Sequence, residues 1–200
     1  MYYSFGHDRN SYSAIKQRAM KKTTIFILCV LTLYAKAQLY KSTEGTVSFF
    51  SETAIENIDA TSKNIESIIN SSTNEIVFSV AITSFQFRRE KMQEDFNEDY
   101  MESDKYRDAT YKGKINEKIN WKKDGTYIIT SQGVLTIHGV AKERTDTGLV
   151  SIKEGKIAMK NNFLVRVADH GIKIPQLVLY KVAEVVSVKS TITYSVYSKQ

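Results

Sequence analysis

Proline is almost missing from this 200-residue chain, which has one, along with nine glycines, one cysteine and one tryptophan. So few breakers exclude Pro- or Gly-rich linkers and low-complexity tracts, and with no internal repeat they argue against a second domain. The single cysteine, Cys29, sits in an apolar run near the N-terminus. If that run is removed, the chain has no disulfide framework, no thiol nucleophile and no thiolate metal site. Two histidines lie beyond it, His138 and His170, with no partner at a ligand spacing such as H-x(3)-H. A G-x-S-x-G nucleophile elbow is absent, as is the EF-hand spacing. The apolar run Ile25 to Leu33 falls short of the roughly 20 residues that a spanning helix takes.

That run does match another pattern. Met20-Lys21-Lys22, then Ile25 to Leu33, then Ala35-Lys36-Ala37-Gln38 give a basic n-region, a short h-region and an A-x-A site. This is a secretory signal peptide, with cleavage expected after Ala37 and Met20 as the expected start, residues 1 to 19 being an upstream extension. Cys29 follows Phe26-Ile27-Leu28 with no small residue, which argues against lipoprotein processing. The expected division is therefore 1–37, extension and signal peptide, and 38–200, one domain exported to the periplasm or beyond. The leader also explains the net charge of +6. It holds six basic residues and one acid, leaving 22 basic against 21 acidic, or +1. The high pI is then no argument for nucleic acid or an anionic membrane.

About 163 residues remain, enough for one sizeable core. They alternate as strands almost throughout: Thr46 to Ser51, Ile55 to Ala60, Ile65 to Ile69, Glu75 to Phe85, Ala109 to Ile115, Thr126 to Val140, Leu149 to Ile152 and Ile157 to Met159. Phe163, Val165 and Val167 alternate with Asn162 and Arg166, and the last stretch runs from Val182 to Val196. Ile76, Phe78, Val80 and Ile82 share one parity while Phe85 and Phe87 fall on the other, so a bulge or a change of partner is expected near Thr83-Ser84. Gly133 reads as a bulge, and Trp121 as a plug at one barrel end. Met92, Phe96 and Tyr100, four apart, share one face of a helix. The carboxylates from Glu94 to Asp104 are its solvated face, balanced by Arg88, Arg89, Lys91 and Lys105. The fold class is all-β, an antiparallel barrel of about eight strands with one short capping helix.

The run F-x-F-x(4)-M-x(3)-F-N-E-x-Y-M-E-S-D-K-Y from Phe85 to Tyr106, then A-T-Y-K-G from Ala109 and L-T-I-H-G-V from Leu135, resembles the YceI-like family. The resemblance extends from about Tyr40 to Tyr197. One departure is Arg107, where the family usually has proline. The resemblance implies an extracytoplasmic lipocalin-like barrel that holds a polyisoprenoid or similar long-chain amphiphile.

Residue patterns alone leave a filled core and a ligand cavity equally open. An excess of large apolar side chains near one end, together with the resemblance, favours the cavity. The candidate ligand-binding residues are Phe85, Phe87, Met92, Phe96, Tyr100, Tyr111, Leu135, Ile137, Phe163 and Val165, with Tyr100, Tyr111 or Arg88 placed to orient a polar head at the mouth. The expected function is a carrier or scavenger of a polyisoprenoid, quinone or other lipid, with no catalysis, cofactor, metal, nucleic acid or membrane span; a homodimer stays open. The alternative is a filled barrel acting as an envelope interaction or stress-response protein. An enzymatic reading requires Asp169, His170 or His138 gathered in one pocket beside a hydroxyl; for His138 the simpler expectation is a strand-end side chain bonded to the turn at Gly139.

Overall fold

A single long strand, β1 (Leu39–Glu52), closes the sheet on itself in the computed structural model, which describes residues 38–175 and 182–197. One edge of β1 pairs with β10 (Val185–Val196) along nearly its whole length, from Tyr40↔Val196 to Phe50↔Ser187. Its other edge takes two partners in turn: β3 (Ile65–Asn70) at the start and β2 (Asn57–Ser62) from Val47 onward. The ring continues from β3 through β4 (Glu75–Ala81), β6 (Asp108–Ile115), β7 (Gly125–Ile137), β8 (Val140–Lys153) and β9 (Lys156–Arg166) back to β10, antiparallel throughout. This is a closed eight-strand barrel, because β2 and the two-residue β5 (Gln86–Phe87) are the outer halves of broken strands rather than extra staves. Closure removes most of the unpaired edges that an open sheet would present, β8 and β9 being paired only from Gly148↔Asn161 to Lys153↔Lys156.

The break in the β4–β5 arm explains the parity change read from the sequence. After Ala81 the chain makes a 3-10 turn, Ile82–Ser84, and then leaves β3 and β6 to pair with β2 through Ala60↔Phe87 and Thr61↔Gln86. The strand changes partners, and the opposite arm breaks at the same level, between Ser62 and Ile65. Ser62 Oγ meets Ser84 Oγ at 2.6 Å, with Ser84 in turn donating to the Ala81 carbonyl. A second parity change lies in β1, where the register slips between Ser42 and Glu44. This one-residue bulge is why Tyr40 and Val47, of opposite parity, both face inward.

Several sequence expectations need correction. The strand expected from Ile55 begins at Asn57; Ile55 is exposed in a turn tied by Thr53 Oγ1 accepting from the Glu56 amide. The strand expected to reach Val140 stops at Ile137, because His138 (φ 51°) and Gly139 (φ 74°) form a two-residue hairpin turn with both central residues left-handed. Gly133 is not a bulge: β6–β7 and β7–β8 run through it in unbroken register, opposite Gly113 and Arg144. It is glycine because the neighbouring strand comes too close, a Cβ there falling 2.5 Å from the Gly113 Cα. The strand read as Leu149 to Ile152 extends back to Val140.

The barrel has a filled end and an open end. At the filled end Tyr40, Ile69, Ile115, Val150, Ile157 and Tyr194 form the centre of a cluster that also holds Trp121. Trp121 does plug this end: its indole donates to Asn74 Oδ1 at 3.1 Å, and Asn74 in turn donates to the Glu117 carbonyl at 2.9 Å. The Tyr194 phenol, raised by burial, donates to Ser67 Oγ at 2.8 Å, since Ser67 donates to the Val77 carbonyl. At the other end helix α1 (Glu90–Asp95) runs directly into a π-helical turn, Phe96–Tyr100, and the two cover the opening.

Candidate ligand-binding cavity

The interior between these ends is hollow. A cavity of about 520 Å³ extends from the filled end to the lid, within the range of roughly 300–1,000 Å³ typical of small-molecule sites. Its wall is mostly hydrocarbon and aromatic because each strand contributes its inward parity, such as Ile76, Phe78 and Val80 from β4 and Val186, Val188 and Ile192 from β10.

The mouth is built from four phenylalanines. Phe96, on the lid, stacks on Phe49 of β1 with ring centres 5.4 Å apart, and lies 5.0 Å from Phe87 and 5.8 Å from Phe85. Phe49 also contacts Phe85 and Phe87. Such pairs contribute roughly 0.5–1.5 kcal/mol each beyond burial, so they hold the lid down without a covalent tie. The break in the β4–β5 arm is what brings Phe85 and Phe87 to the same side as Phe96.

Polar groups enter the wall at two levels. At the mouth Arg89 pairs with Glu56, and Lys91 bridges Asp95 and Glu94 at 3.0 Å each, hydrogen bonds that raise the Lys91 ammonium's pKa. Deeper, Arg144 of β8 grips Asp146 through two bonds of 2.5 and 2.6 Å, lies 4.3 Å from the Phe163 ring and donates to the Leu164 carbonyl at 3.3 Å. That last bond spans a place where β8 and β9 have parted: their paired ladder runs only from Lys153↔Lys156 to Gly148↔Asn161. Beside it, the Tyr111 phenol, its pKa raised chiefly by burial, lies over side-chain-free Gly113 and meets Ser131 Oγ at 2.6 Å.

A profile of the YceI-like domain matches residues 34–194. The chain belongs to the YceI-like family. Among solved structures, it is similar to a polyisoprenoid binding domain from Saccharophagus degradans implicated in plant cell wall breakdown, with a TM-score of 0.70 at 14% identity, covering 79% of this chain and 98% of that one. BcnA of Burkholderia cenocepacia superposes with a TM-score of 0.62 at 15% identity, over 74% of this chain and 95% of that one. The YceI protein of Campylobacter jejuni gives 0.58 at 15% identity, over 74% and 90%. At these identities the likeness is one of fold. No curated protein matches the chain.

In this YceI-like barrel all ten residues singled out in the sequence line the one cavity: Phe85, Phe87, Met92, Phe96 and Tyr100 at the mouth, and Tyr111, Leu135, Ile137, Phe163 and Val165 from the staves. Met92, Phe96 and Tyr100 share the inner face of the lid, as their spacing predicts. Arg88 is misplaced in the sequence reading; it points outward, largely exposed, to Asp59 at 3.2 Å, and the neighbouring Arg89 takes the rim. Tyr111 lies against the filled-end cluster rather than at the mouth. The lid carboxylates are balanced in part by Lys91, while Arg88 and Arg89 turn to Asp59 and Glu56.

The two histidines lie close together but do not line the cavity. His138 bonds not to its own turn but across the fold: Nε2 meets Glu102 Oε2 at 2.8 Å, Nδ1 meets the His170 carbonyl at 3.3 Å, and the ring packs on Tyr106 at 4.4 Å. His170 is buried, its Nδ1 3.0 Å from the Val140 carbonyl. Both act as clamps between the lid's C-terminal end, the β7–β8 turn and the turn after β9. Among the described residues no group of three or more metal-ligating side chains occurs, and no helix is long and apolar enough to cross a membrane. The expected cleavage site, start and extension lie in residues 1–37, outside the described residues.

Sequence reasoning missed Arg144, Asp146 and Asn161, which also line the cavity. Both faces of β8 are polar from Lys142 to Thr147, so no alternation marks a strand there. The available signal was two opposite charges two residues apart, in phase with Val150 and Ile152.

Proposed function

We propose that this protein is an exported carrier that sequesters a long-chain apolar molecule, such as a polyisoprenoid, quinone or fatty acyl amphiphile, and performs no chemistry on it. The observation that carries the reading is the hollow barrel itself: a cavity of about 520 Å³, walled by aliphatic and aromatic side chains and partly roofed by an aromatic lid. The family membership and a related fold described as a polyisoprenoid binding domain support the same reading. Transfer of each methylene from water to such a wall contributes about 0.8 kcal/mol, so chain length sets affinity. Met92, flexible and polarisable, adapts the lid to tails of different shape. Export to the periplasm or the medium rests on the n-region, h-region and A-x-A pattern of residues 20–37.

Native mass spectrometry of the chain, expressed with its full N-terminus in a bacterium and purified from the periplasm without detergent, tests both parts. A mass excess of several hundred daltons, lost on organic extraction and recovered as lipid, is the expected result, on a polypeptide beginning at Gln38. A bare polypeptide that takes up no isoprenoid, quinone or fatty acid refutes the carrier and leaves the interaction protein as the better reading.

A further inference from the structure

Both nitrogens of the His138 ring face acceptors, one a carbonyl and the other a carboxylate. Nδ1 lies 3.3 Å from the His170 carbonyl oxygen, which has no proton to give, and Nε2 lies 2.8 Å from Oε2 of Glu102. A neutral imidazole has one N–H and one lone pair, so with Nδ1 donating to the carbonyl its Nε2 lone pair points at the carboxylate. The two bonds form together only when the pair holds one further proton. The side chain is only 11% exposed, so water has little room to stand in for either partner.

The contact sits where the lid joins the barrel. Glu102 lies two residues beyond the π-helical turn, His138 in the β7–β8 turn, and His170 at the end of the 3-10 turn after β9. Glu102 at φ 43° and His138 at φ 51° both hold left-handed backbone, which residues other than glycine rarely adopt and which persists where surrounding bonds fix it. The charged and titratable groups around the two rings come from three elements. They are Glu102, Lys105 and Tyr106 after the lid, Asp169 and His170 after β9, and Lys142 and Arg144 on β8. Burial holds the His170 ring below its ordinary pKa, with Nδ1 donating to the Val140 carbonyl. That leaves His138 as the ring that exchanges a proton at this joint.

We propose that the His138–Glu102 contact is a proton-operated clamp on the lid. With the further proton it ties the lid's C-terminal end to the barrel; without it a lone pair faces the carboxylate and the tie opens, leaving the phenylalanine cluster to hold the lid. The closed clamp binds a proton that the open clamp gives up, so closure is favoured as the pH falls and lost as it rises. Its use rests on the carrier reading: cargo is retained in acid and exchanged faster in alkaline surroundings. Its chemistry stands on the ring and its two acceptors alone.

Two measurements on the full-length protein test this. In 15N-labelled protein, long-range imidazole spectra, assigned through the bonds of each ring to its own backbone, give the proton count of His138. Both nitrogens are expected to be protonated at pH 5.5, and one to lose its proton as the pH is raised to 8.5. In the second measurement N-phenyl-1-naphthylamine, an apolar probe that stays neutral over this range, is released into excess phosphatidylcholine vesicles in a stopped-flow mixer. Release is expected to be about tenfold faster at pH 8.5 than at pH 5.5, the worth of one hydrogen bond. Glu102→Gln should release slowly at both pH values, because its amide donates to the Nε2 of the neutral ring. His138→Ala should release fast at both, and Glu98→Gln, which alters an exposed lid carboxylate, should keep the wild-type dependence. Equal wild-type release at the two pH values overturns the clamp, as does a Glu102→Gln variant with the wild-type dependence or a His138 ring that is neutral at pH 5.5; each leaves the carrier standing. A protein that takes up no probe counts against the carrier, and the ring spectra then decide the clamp. The wild-type and Glu102→Gln series suffice even if His138→Ala does not fold.

Discussion

Gly113 and Gly133 face each other across β6 and β7, yet alanine at the two positions is expected to act differently. At Gly133 the new methyl meets backbone, lying 2.5 Å from the Gly113 Cα and closer still to the Lys112 carbonyl oxygen. Neither strand can retreat without breaking a ladder paired on both sides. The cost is at the upper end of overpacking, about 3 kcal/mol, against a gain of about 0.5 kcal/mol from a stiffer unfolded chain. At Gly113 the three atoms nearest the methyl all belong to the Tyr111 side chain, with Cζ at 2.6 Å, and that ring borders the cavity and has room to swing into it. Losing the Tyr111–Ser131 hydrogen bond costs about 1 kcal/mol, partly offset by the same gain. For a domain of this size 1 kcal/mol moves Tm by about 2–4 °C, so Gly133→Ala should melt roughly 5–10 °C below wild type and Gly113→Ala within about 2 °C of it. Gly113→Ala should instead bind ligand more weakly, because the displaced ring occupies the cavity. Circular dichroism melts and probe displacement read the two effects separately. A Gly133→Ala melt equal to wild type would refute the close approach, and equal losses at both positions would refute the distinction between yielding ring and unyielding backbone.

Other substitutions probe the lid, a turn and the clamp. Phe96→Ala removes the ring that touches Phe49, Phe85 and Phe87; as the ring is only partly buried, about 2 kcal/mol is expected, with ligand dissociation accelerated at least tenfold by stopped-flow. Glu154→Asn should raise Tm by about 2–4 °C, because Glu154 holds φ 50° in a hairpin turn that asparagine tolerates better, and its amide bond to Asp124 Oδ1 is kept. Burial holds the His170 imidazole below its ordinary pKa of about 6.5, opposed in part by the Val140 carbonyl. Below pH 6.5 the unfolded chain therefore binds a proton that the folded chain refuses, and stability falls as the pH drops toward the lower folded value. His170→Gln should lose less Tm than wild type between pH 7 and pH 5, and equal losses would contradict the buried neutral imidazole.

The parts of this fold that were legible are those written in local alternation. The lid face of Met92, Phe96 and Tyr100 follows from a spacing of four, and the switch at Thr83-Ser84 shows as a flip of parity between Ile82 and Phe85. The apolar lining follows too, since a strand's inward residues line whatever the barrel encloses. Three kinds of feature were hidden. The bulge between Ser42 and Glu44 lies among polar residues, where a change of parity leaves no hydrophobic trace. Gly133 is required by the neighbouring strand rather than by its own backbone, which no single segment reveals. The His138 clamp joins Glu102 and His170, positions 36 and 32 residues away, so its partners could not be read from the turn that holds it. Arg144 and Asp146 were hidden by the polar outer face of their own strand, which removed the contrast on which alternation depends.

The broken hairpin joins these observations into one device. Continuous β2–β3 and β4–β5 arms would place Phe85 and Phe87 as ordinary stave residues and leave the barrel open at the top. The break at Ser62 and Ser84 turns the outer halves over the mouth, carrying the phenylalanines to the lid. That leaf is lightly held: β5 meets the sheet only through Ala60↔Phe87 and Thr61↔Gln86, whereas β7 and β8 pair from Gly125↔Ile152 to Ile137↔Val140. Local opening follows the weakest pairing, so the leaf and lid can part from the barrel while the staves stay closed. The clamp at His138 ties the lid's far end to the β7–β8 turn, which makes the phenylalanine side the free edge and the clamp the hinge. The same break sets the depth order of the wall, with Phe85, Phe87 and Phe96 at the mouth and the polar groups of Arg144, Asp146 and Asn161 farther in.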